Sequence, residues 1–160
     1  MPSENIVKHF GNRLRVRVNG ILIENERILM VKHVGLGETG YLWAPPGGGI
    51  EFGTSAPQNL EREFLEETGL MVEVKDFLFT CEFINAPLHA IELFFIVKKK
   101  SGLLGKGKDP ELQNSAQIIE TVAFLSIERI KNIPVGGIHK VFHDIESFDD
   151  IIKKRGYYAI

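Results

Sequence analysis

The sequence predicts an α+β or α/β domain with a mixed sheet, on the basis of three patterns. Short apolar runs typical of strands lie on both sides of one strong helical segment, and a second helical pattern appears near the C-terminus. The length of 160 residues suits one domain covering residues 1–160. Hydrophobic residues make up 44% of the chain, which is enough to build a substantial single core.

The first part of the chain predicts two strands joined by a polar turn. Residues 14–18 alternate apolar side chains with arginines, and residues 27–32 form a mainly apolar run. We expect these two segments to pair as a hairpin. A glycine-rich loop follows, and residues 41–43 form a short extended segment.

The later part of the chain predicts more strands and two helices. Its apolar runs indicate strands over residues 71–74, 77–83, 89–98 and 118–124. The 89–98 run is apolar on both faces, which is typical of a central strand. Ser126 is a candidate N-cap for a short helix. Apolar residues at helical spacing predict a C-terminal helix over 139–154, which an interruption near Ser147 can divide.

Charge and composition narrow the classes of function. The 19 basic and 21 acidic residues give a net charge of −2, so no nucleic-acid partner is expected. The chain has one cysteine, Cys81, which is expected to be a buried apolar residue in a reducing compartment. Because no signal peptide or membrane-spanning run is apparent, we expect a cytoplasmic protein without a membrane partner.

Residues 47–70 carry the clearest chemical pattern. Pro45–Gly49 is a glycine-rich bend that lets the backbone approach a ligand. A helix is predicted from Ala56 to Thr68, because Gly69 stands where a helix C-terminal glycine belongs. On that helix Glu63, Glu66 and Glu67 project from one face, where they repel one another unless a divalent cation binds.

The stretch GGGIEFGTSAPQNLEREFLEETGL resembles the Nudix box. Gly48 matches its opening glycine, and Arg62–Leu70 matches every fixed position of its REUxEExGU tail, where U is a bulky apolar residue. One position departs, because Thr54 stands where the box has glutamate. The resemblance implies an α/β/α sandwich with a mixed sheet, in which the box forms a loop–helix–loop.

The resemblance also implies an activity, namely the hydrolysis of a nucleoside diphosphate linked to another moiety X. Four residues would then hold Mg²⁺, for which Mn²⁺ can substitute: the main-chain carbonyl of Gly47 and the carboxylates of Glu63, Glu66 and Glu67. Arg62 would orient the first of these glutamates. Members of the family also use a further glutamate as a base or extra ligand. The candidates here are Glu111, which we favour, Glu120, and Glu92, which can point toward the site from the central strand.

The departure at Thr54 leaves two functions open. Threonine cannot replace a carboxylate beside Arg62, although Thr54 can cap the helix and Glu51 can partly substitute for the missing charge. We expect an enzyme with reduced activity. The alternative is a nucleotide-binding or regulatory domain with weak or no catalysis.

Residues that would contact the substrate are less clearly marked. Arg17 and Lys32 lie on the predicted hairpin, and arginine suits bidentate contact with phosphate. Trp43 is a candidate for stacking on a base, with core packing as its other role. The predicted partner is a small nucleotide diphosphate derivative. We also expect a homodimer, to which the apolar end at residues 157–160 can contribute.

Overall fold

The computed structural model describes residues 4–107 and 118–160. In chain order its elements are α1 (Glu4–Phe10), β1 (Arg13–Ile21), β2 (Ile23–Glu24), β3 (Arg27–Val34), β4 (Tyr41–Ala44), β5 (Gly47–Gly49), α2 (Ala56–Thr68), β6 (Leu70–Asn85), β7 (Leu88–Gly102), β8 (Ile119–Leu125), α3 (Ile127–Lys131), α4 (Asp149–Ile152) and β9 (Gly156–Ala159). Two 3-10 turns, Val135–Gly137 and Lys140–Phe142, lie between α3 and α4. Among the described residues, no helix is long and apolar enough to cross a bilayer.

The strands form two sheets. The larger has the order β5-β1-β7-β6-β9, and the smaller has the order β2-β3-β4 with β8 paired to β3. The β1/β7 and β6/β9 pairs are parallel, while the other pairs are antiparallel. The predicted mixed α/β class is therefore confirmed, and β7 has the central position that its two apolar faces indicated.

Alternate residues of β3 show how the layers are stacked. Ile28 and Met30 belong to one core cluster, whereas Leu29 belongs to the other, so the two clusters lie on opposite faces of the sheet. The Leu29 cluster is completed by Leu60 and Phe64 of α2. The other cluster is covered by α3 and the segment that follows it. Helical layers thus cover both faces, as the α/β/α expectation requires.

Helix α2 begins and ends at the predicted residues, but the predicted cap is wrong. Ser55, not Thr54, is the N-cap: its hydroxyl accepts from the backbone N–H of Gln58, whose side chain bonds back to the Ser55 N–H. Thr54 instead donates its backbone N–H to the carbonyl of Glu51 in the preceding turn, at 3.1 Å. Gly69 ends the helix in the left-handed conformation, with φ of 75°.

A glycine in β1 sets how closely α2 approaches the larger sheet. A Cβ added at Gly20 would lie 2.3 Å from the ring of Phe64, which is fully buried. No side chain larger than hydrogen fits in that gap, so Gly20 allows the helix to pack directly on the strand. This packing brings the acidic side of α2 to the edge of β1 and β5.

The predicted hairpin between residues 14–18 and 27–32 is wrong. β1 pairs with β7 along its whole length and with β5 at Arg17–Asn19, so both of its edges are taken there. The chain changes sheet after Ile21, and the two-residue strand β2 forms the hairpin with β3. The alternation of apolar and polar residues predicted the strands correctly, but it did not predict which strands pair with each other.

Two later expectations also need correction. Residues 71–74 and 77–83 belong to the single strand β6, whose register is irregular between Val74 and Phe77. The C-terminal helix predicted over 139–154 is replaced by a 3-10 turn and the short α4. Asp144 has φ of 60°, and the Asp150 carboxylate accepts the N–H groups of Glu146 and Ser147, so local side-chain bonds replace the helix.

The C-terminal segment lies within the fold of the same chain. Strand β9 pairs with β6, and Tyr158 and Ile160 pack against the core. Residues 157–160 were expected to contribute to a dimer, and the homodimer stays a prediction. The strand predicted at 118–124 and the N-cap at Ser126 are confirmed.

Candidate functional site

A cavity of about 640 Å³ runs along β1 and β7 beside the glycine segment β5. Its volume lies in the range of roughly 300–1,000 Å³ that is usual for small-molecule pockets. The box contributes the glycines of β5 and two glutamates of α2, Glu63 and Glu67. Other lining residues come from β1 and β7, which follow β5 in the same sheet, and from residues 135–143.

The two glutamates lie directly against the glycine backbone. Glu67 is buried and its Oε2 accepts the N–H of Gly47 at 3.0 Å. A Cβ added at Gly48 would lie 2.4 Å from the carboxyl carbon of Glu63. The absence of side chains in β5 therefore allows two carboxylates to approach the backbone at one end of the cavity.

Burial and crowding shift the titration of Glu63. Burial raises its pKa to about 7, and the neighbouring charge of Glu67 acts in the same direction. The cations of Arg62 and Arg17 oppose the shift but do not cancel it. Glu63 therefore carries an unfavourable charge at neutral pH, which an additional cation would stabilise.

Arg62 gathers the acidic side chains of the box. Its guanidinium donates to Glu66 at 2.7 Å and to Glu63 at 2.9 Å. It also lies 3.4 Å from Glu51, which supplies a carboxylate near the arginine although Thr54 cannot. Within the described residues the Thr54 side chain makes no hydrogen bond.

Asn59 is a structural residue of this site that sequence reasoning missed. It is fully buried; its Nδ2 donates to the Gly49 carbonyl at 2.9 Å, and its Oδ1 accepts from the Glu51 N–H at 3.1 Å. The side chain therefore fastens the glycine loop to α2. A polar residue one position before the buried Leu60 was the signal that could have indicated it.

The three glutamates do not converge on one point. Glu66 is held by Arg62 and does not line the cavity. Across residues 4–107 and 118–160, no three acidic, histidine or cysteine side chains form a group able to hold a metal ion. Glu63 and Glu67 nevertheless supply the hard oxygen donors that Mg²⁺ prefers, beside the backbone of Gly47. The residues present thus fit a divalent cation, and the four predicted ligands stay a prediction.

The predicted substrate residues have different locations. Arg17 lines the cavity, and its charge acts on Glu63. Lys32 does not line it; its ammonium is 2.5 Å from Glu120 and lies over the ring of Tyr41. Trp43 is buried in the core and is absent from the cavity wall. The favoured extra glutamate, Glu111, lies outside the described residues.

Further polar residues line the cavity. Glu92, which the sequence offered as a glutamate pointing toward the site from the central strand, is buried and lines it. Asn19 and His139, to which the sequence assigned no role, are buried and line it as well. Glu92 and His139 are hydrogen-bonded at 2.7 Å. His33 also lines the cavity, with its Nε2 3.8 Å from a Glu67 oxygen.

The far end of the cavity is mainly apolar. It is formed by side chains of α1 and of the β6–β7 hairpin, namely Ile6, Phe10, Phe83, Ile84 and Leu88. Arg15 lies over the ring of Phe10, at 4.2 Å from its centroid. The cavity therefore changes from acidic at the glycine segment, through basic at β1, to apolar at the hairpin.

Comparison with solved structures supports the fold. A NUDIX hydrolase from Nitrosomonas europaea is 21% identical, with a TM-score of 0.64 and coverage of 87% of this chain and 86% of that one. An ADP-ribose pyrophosphatase from Streptococcus suis is 16% identical, with a TM-score of 0.60 and coverage of 90% and 98%. A UDP-X diphosphatase is 22% identical, with a TM-score of 0.62 and coverage of 92% and 68%.

Sequence comparison supports the same relationship. An ADP-ribose pyrophosphatase from Methanocaldococcus jannaschii is 33% identical over 96 residues. The match covers 59% of this chain and 56% of that protein, so this chain spans little more than half the length of the curated relative. The profile of the NUDIX domain matches residues 13–143. Since that span includes the box, the cavity walls and most of both sheets, the chain belongs to the Nudix family.

Proposed function

We propose that this protein hydrolyses the pyrophosphate linkage of a nucleoside diphosphate linked to another moiety, in a reaction that depends on Mg²⁺. One observation carries the proposal. Two buried carboxylates, Glu63 and Glu67, line the same cavity as Arg17 and lie against the side-chain-free backbone of β5. Acidic and basic groups in one pocket suit a ligand that carries both phosphate and a divalent cation.

The chain supplies the groups that bind and orient such a substrate. Glu63 and Glu67 would hold Mg²⁺, with Glu66 and the Gly47 carbonyl as further predicted ligands. When bound, Mg²⁺ polarises phosphoryl oxygens and lowers the pKa of coordinated water. Arg17 offers a fork of N–H donors to phosphate oxygens from the neighbouring strand β1. Positioning and electrostatics dominate phosphoryl transfer, so these contacts are the main contribution of the protein.

The change in the cavity lining from acidic through basic to apolar would orient the substrate. Arg17 is opposite Gly49 in the sheet register, whereas Arg13 is opposite Leu88 of the hairpin. These two positions of β1 are about 13 Å apart at roughly 3.3 Å per residue. With the diphosphate at Arg17, the organic part of the substrate extends toward the apolar hairpin end.

The comparisons narrow the substrates to test. Relatives and neighbours are named as ADP-ribose pyrophosphatases and a UDP-X diphosphatase, and both names describe a nucleoside diphosphate joined to a second group. We therefore propose ADP-ribose and UDP-sugars as the first substrates to measure. Nucleoside triphosphates and dinucleoside polyphosphates complete the panel.

The test compares the wild type with Glu67→Gln and Glu61→Gln in the presence of Mg²⁺. Glu61 is an exposed glutamate on the same helix that does not line the cavity, so its substitution is a matched control. Product chromatography should show hydrolysis by the wild type and the control, and a loss of about 100-fold or more in Glu67→Gln. The same background rate in all three proteins would refute the proposal.

A second candidate is a nucleotide-binding domain with little catalysis. Thr54 in place of the box glutamate favours it, and so does Glu66, which is held by Arg62 away from the cavity. Calorimetric binding of ADP-ribose without turnover of any compound in the panel would establish this alternative.

A further inference from the structure

The part of the cavity next to the box, on β1 and β7 and the segment after β8, carries a group of polar side chains. Arg17 and Asn19 come from β1, Glu92 comes from β7, and His139 comes from the segment between the two 3-10 turns. Glu92 and His139 are only 7% and 9% exposed. The binding of a metal and a diphosphate at the box leaves these two groups without a role.

The carboxylate of Glu92 joins two of these partners. Its Oε2 lies 2.7 Å from Nε2 of His139, and its Oε1 lies 3.5 Å from Nε of Arg17. The Nδ1 atom of His139 accepts the backbone N–H of Val141 at 3.3 Å. Because Nδ1 is the acceptor, Nε2 carries the hydrogen and donates it to Glu92.

Backbone contacts fix the positions of Arg17, Glu92 and His139. Arg17 and Glu92 are opposite each other in the parallel register of β1 and β7. The backbone N–H of His139 donates to the carbonyl of Trp43 at 2.9 Å, and its ring meets the edge of Phe94 with a centroid distance of 5.6 Å. The imidazole therefore has little freedom to move away from Glu92.

The stability of the fold does not by itself explain why a charged residue stands at position 92. Glu92 stands between Ile91 and Leu93 in an apolar strand, and apolar residues often stabilise such a site as well as a buried ion pair does. Burial disfavours the Glu92 carboxylate, but His139 and Arg17 outweigh that cost and lower its pKa. The arrangement thus keeps a permanent anion beside Arg17.

Arg17 lies between this anion and the box. Its Nε is buried and makes no hydrogen bond, and the nearest Glu92 oxygen is 3.5 Å away, at ion-pair distance; the charge of Arg17 also acts on Glu63. Among the described residues, Glu92 is the ion-pair partner of Arg17, and no hydrogen bond occupies the terminal nitrogens of the guanidinium. Those nitrogens are the donors that suit bidentate contact with a phosphate.

We propose that Glu92 and His139 are positioning residues that hold the Arg17 guanidinium in the orientation needed to contact the diphosphate. Glu92 would bind the Nε side of the guanidinium, and His139 would keep Glu92 in place. This inference rests on the proposed function, because it assigns a second layer of residues to the same site.

The test is a double-mutant cycle on the substrate that the wild type hydrolyses best. Arg17→Ala should lower kcat/KM by about 100-fold. Glu92→Gln should lower it by about 10-fold to 100-fold, because the guanidinium is present but no longer held. The double variant should be no slower than Arg17→Ala alone. If the fold losses in kcat/KM of the two single variants multiply in the double variant, Glu92 acts independently of Arg17 and the inference is overturned.

A matched control is available in the same sheet. Glu82 also pairs with a histidine, with its Oε1 2.8 Å from His89 Nε2, but it neither contacts Arg17 nor lines the cavity. Glu82→Gln should keep kcat/KM within about twofold of the wild type. If Glu92→Gln proves unfolded by circular dichroism, the same cycle is run with His139→Gln, which keeps the carboxylate.

Binding measurements separate this inference from the proposed function. The probe is α,β-methylene-ADP, a diphosphonate that is not hydrolysed, measured by calorimetry with Mg²⁺. Glu92→Gln should weaken its affinity about 10-fold in the wild-type background and leave it unchanged in Arg17→Ala. A wild type that neither hydrolyses the panel nor binds the probe would overturn both proposals. If the wild type is active but the Glu92 and Arg17 substitutions act independently of each other, only the positioning role of Glu92 and His139 is overturned.

Discussion

The carboxylate of Glu67 accepts a hydrogen bond from the backbone N–H of Gly47, 20 residues earlier in the chain. This contact joins the last turn of α2 to the glycine segment β5 and closes the acidic end of the cavity. Under the proposed function, one side chain would serve both the fold of the box and the binding of the metal ion.

These two roles of Glu67 can be separated by substitution. Glutamine keeps an acceptor for the Gly47 N–H, whereas alanine leaves that buried donor without a partner at a cost of about 1–3 kcal/mol. We expect Glu67→Gln to unfold at nearly the wild-type urea concentration and Glu67→Ala to unfold earlier, while both lose hydrolysis. Equal stability of the two variants would show that the hydrogen bond contributes little.

Substitution of Arg62 tests how the carboxylates are oriented. Arg62→Ala removes the donors that hold Glu66 at 2.7 Å and Glu63 at 2.9 Å. We expect the affinity for Mg²⁺, measured by titration of activity, to fall by about 10-fold to 100-fold. Arg62→Lys should recover only part of it, because an ammonium cannot reproduce two contacts of a planar fork. Full recovery by lysine would mean that charge alone matters.

The position of Thr54 predicts a gain of function. Arg62 has a carboxylate partner in Glu51 at 3.4 Å, but the Glu51 side chain is 57% exposed, so this ion pair is weak. Thr54→Glu should raise turnover several-fold and should make the protein insensitive to Glu51→Gln. Turnover of Thr54→Glu equal to the wild type, with no tighter Mg²⁺ binding, would contradict this account.

The raised pKa of Glu63 predicts a pH-dependent stability of the metal-free protein. The folded state binds the proton more tightly than the unfolded chain, so the free energy of unfolding should fall as the pH rises from about 4.5 to 7. The loss should reach at most about 3.5 kcal/mol, from a pKa raised by about 2.5 at roughly 1.4 kcal/mol per pKa unit. Urea titrations in EDTA measure it.

Two controls accompany this pH experiment. Glu63→Gln removes the titrating group and should flatten the decline between pH 4.5 and 7. Addition of Mg²⁺ at pH 8 should raise the stability of the wild type, since a ligand that binds the folded state stabilises it. An unchanged pH profile in Glu63→Gln would assign the decline to another group.

Local signals in the sequence were sufficient for the box but not for the pair formed by Glu92 and His139. The bounds of α2, its Gly69 stop and the nearby glycine loop depend on short-range geometry, so the spacing of residues predicted them. Glu92 and His139 are 47 residues apart and meet only through the sheet register. The sequence offered Glu92 as a candidate residue of the site, but a single sequence contains no signal for its pairing with His139.

The errors in the fold have a related cause. Apolar spacing shows which side chains are buried, but a 3-10 turn or an irregular segment can bury Val141, Phe142 and Ile145 as well as a helix can. Likewise, β1 and β3 were recognised as strands, while their partners depend on distant residues. The carboxylate of Glu66 is held by Arg62 of the same helix, and its role as a metal ligand stays a prediction.

The cavity takes its walls from both sheets, with Arg17 on β1 of the larger sheet and His33 on β3 of the smaller one. Slippage of one sheet over the other would therefore pull the pocket apart while each ladder of backbone hydrogen bonds survives. At low urea concentrations we expect hydrolysis to disappear before the far-ultraviolet circular dichroism changes. The rate of hydrolysis would then be a sensitive measure of how stably the two sheets pack against each other.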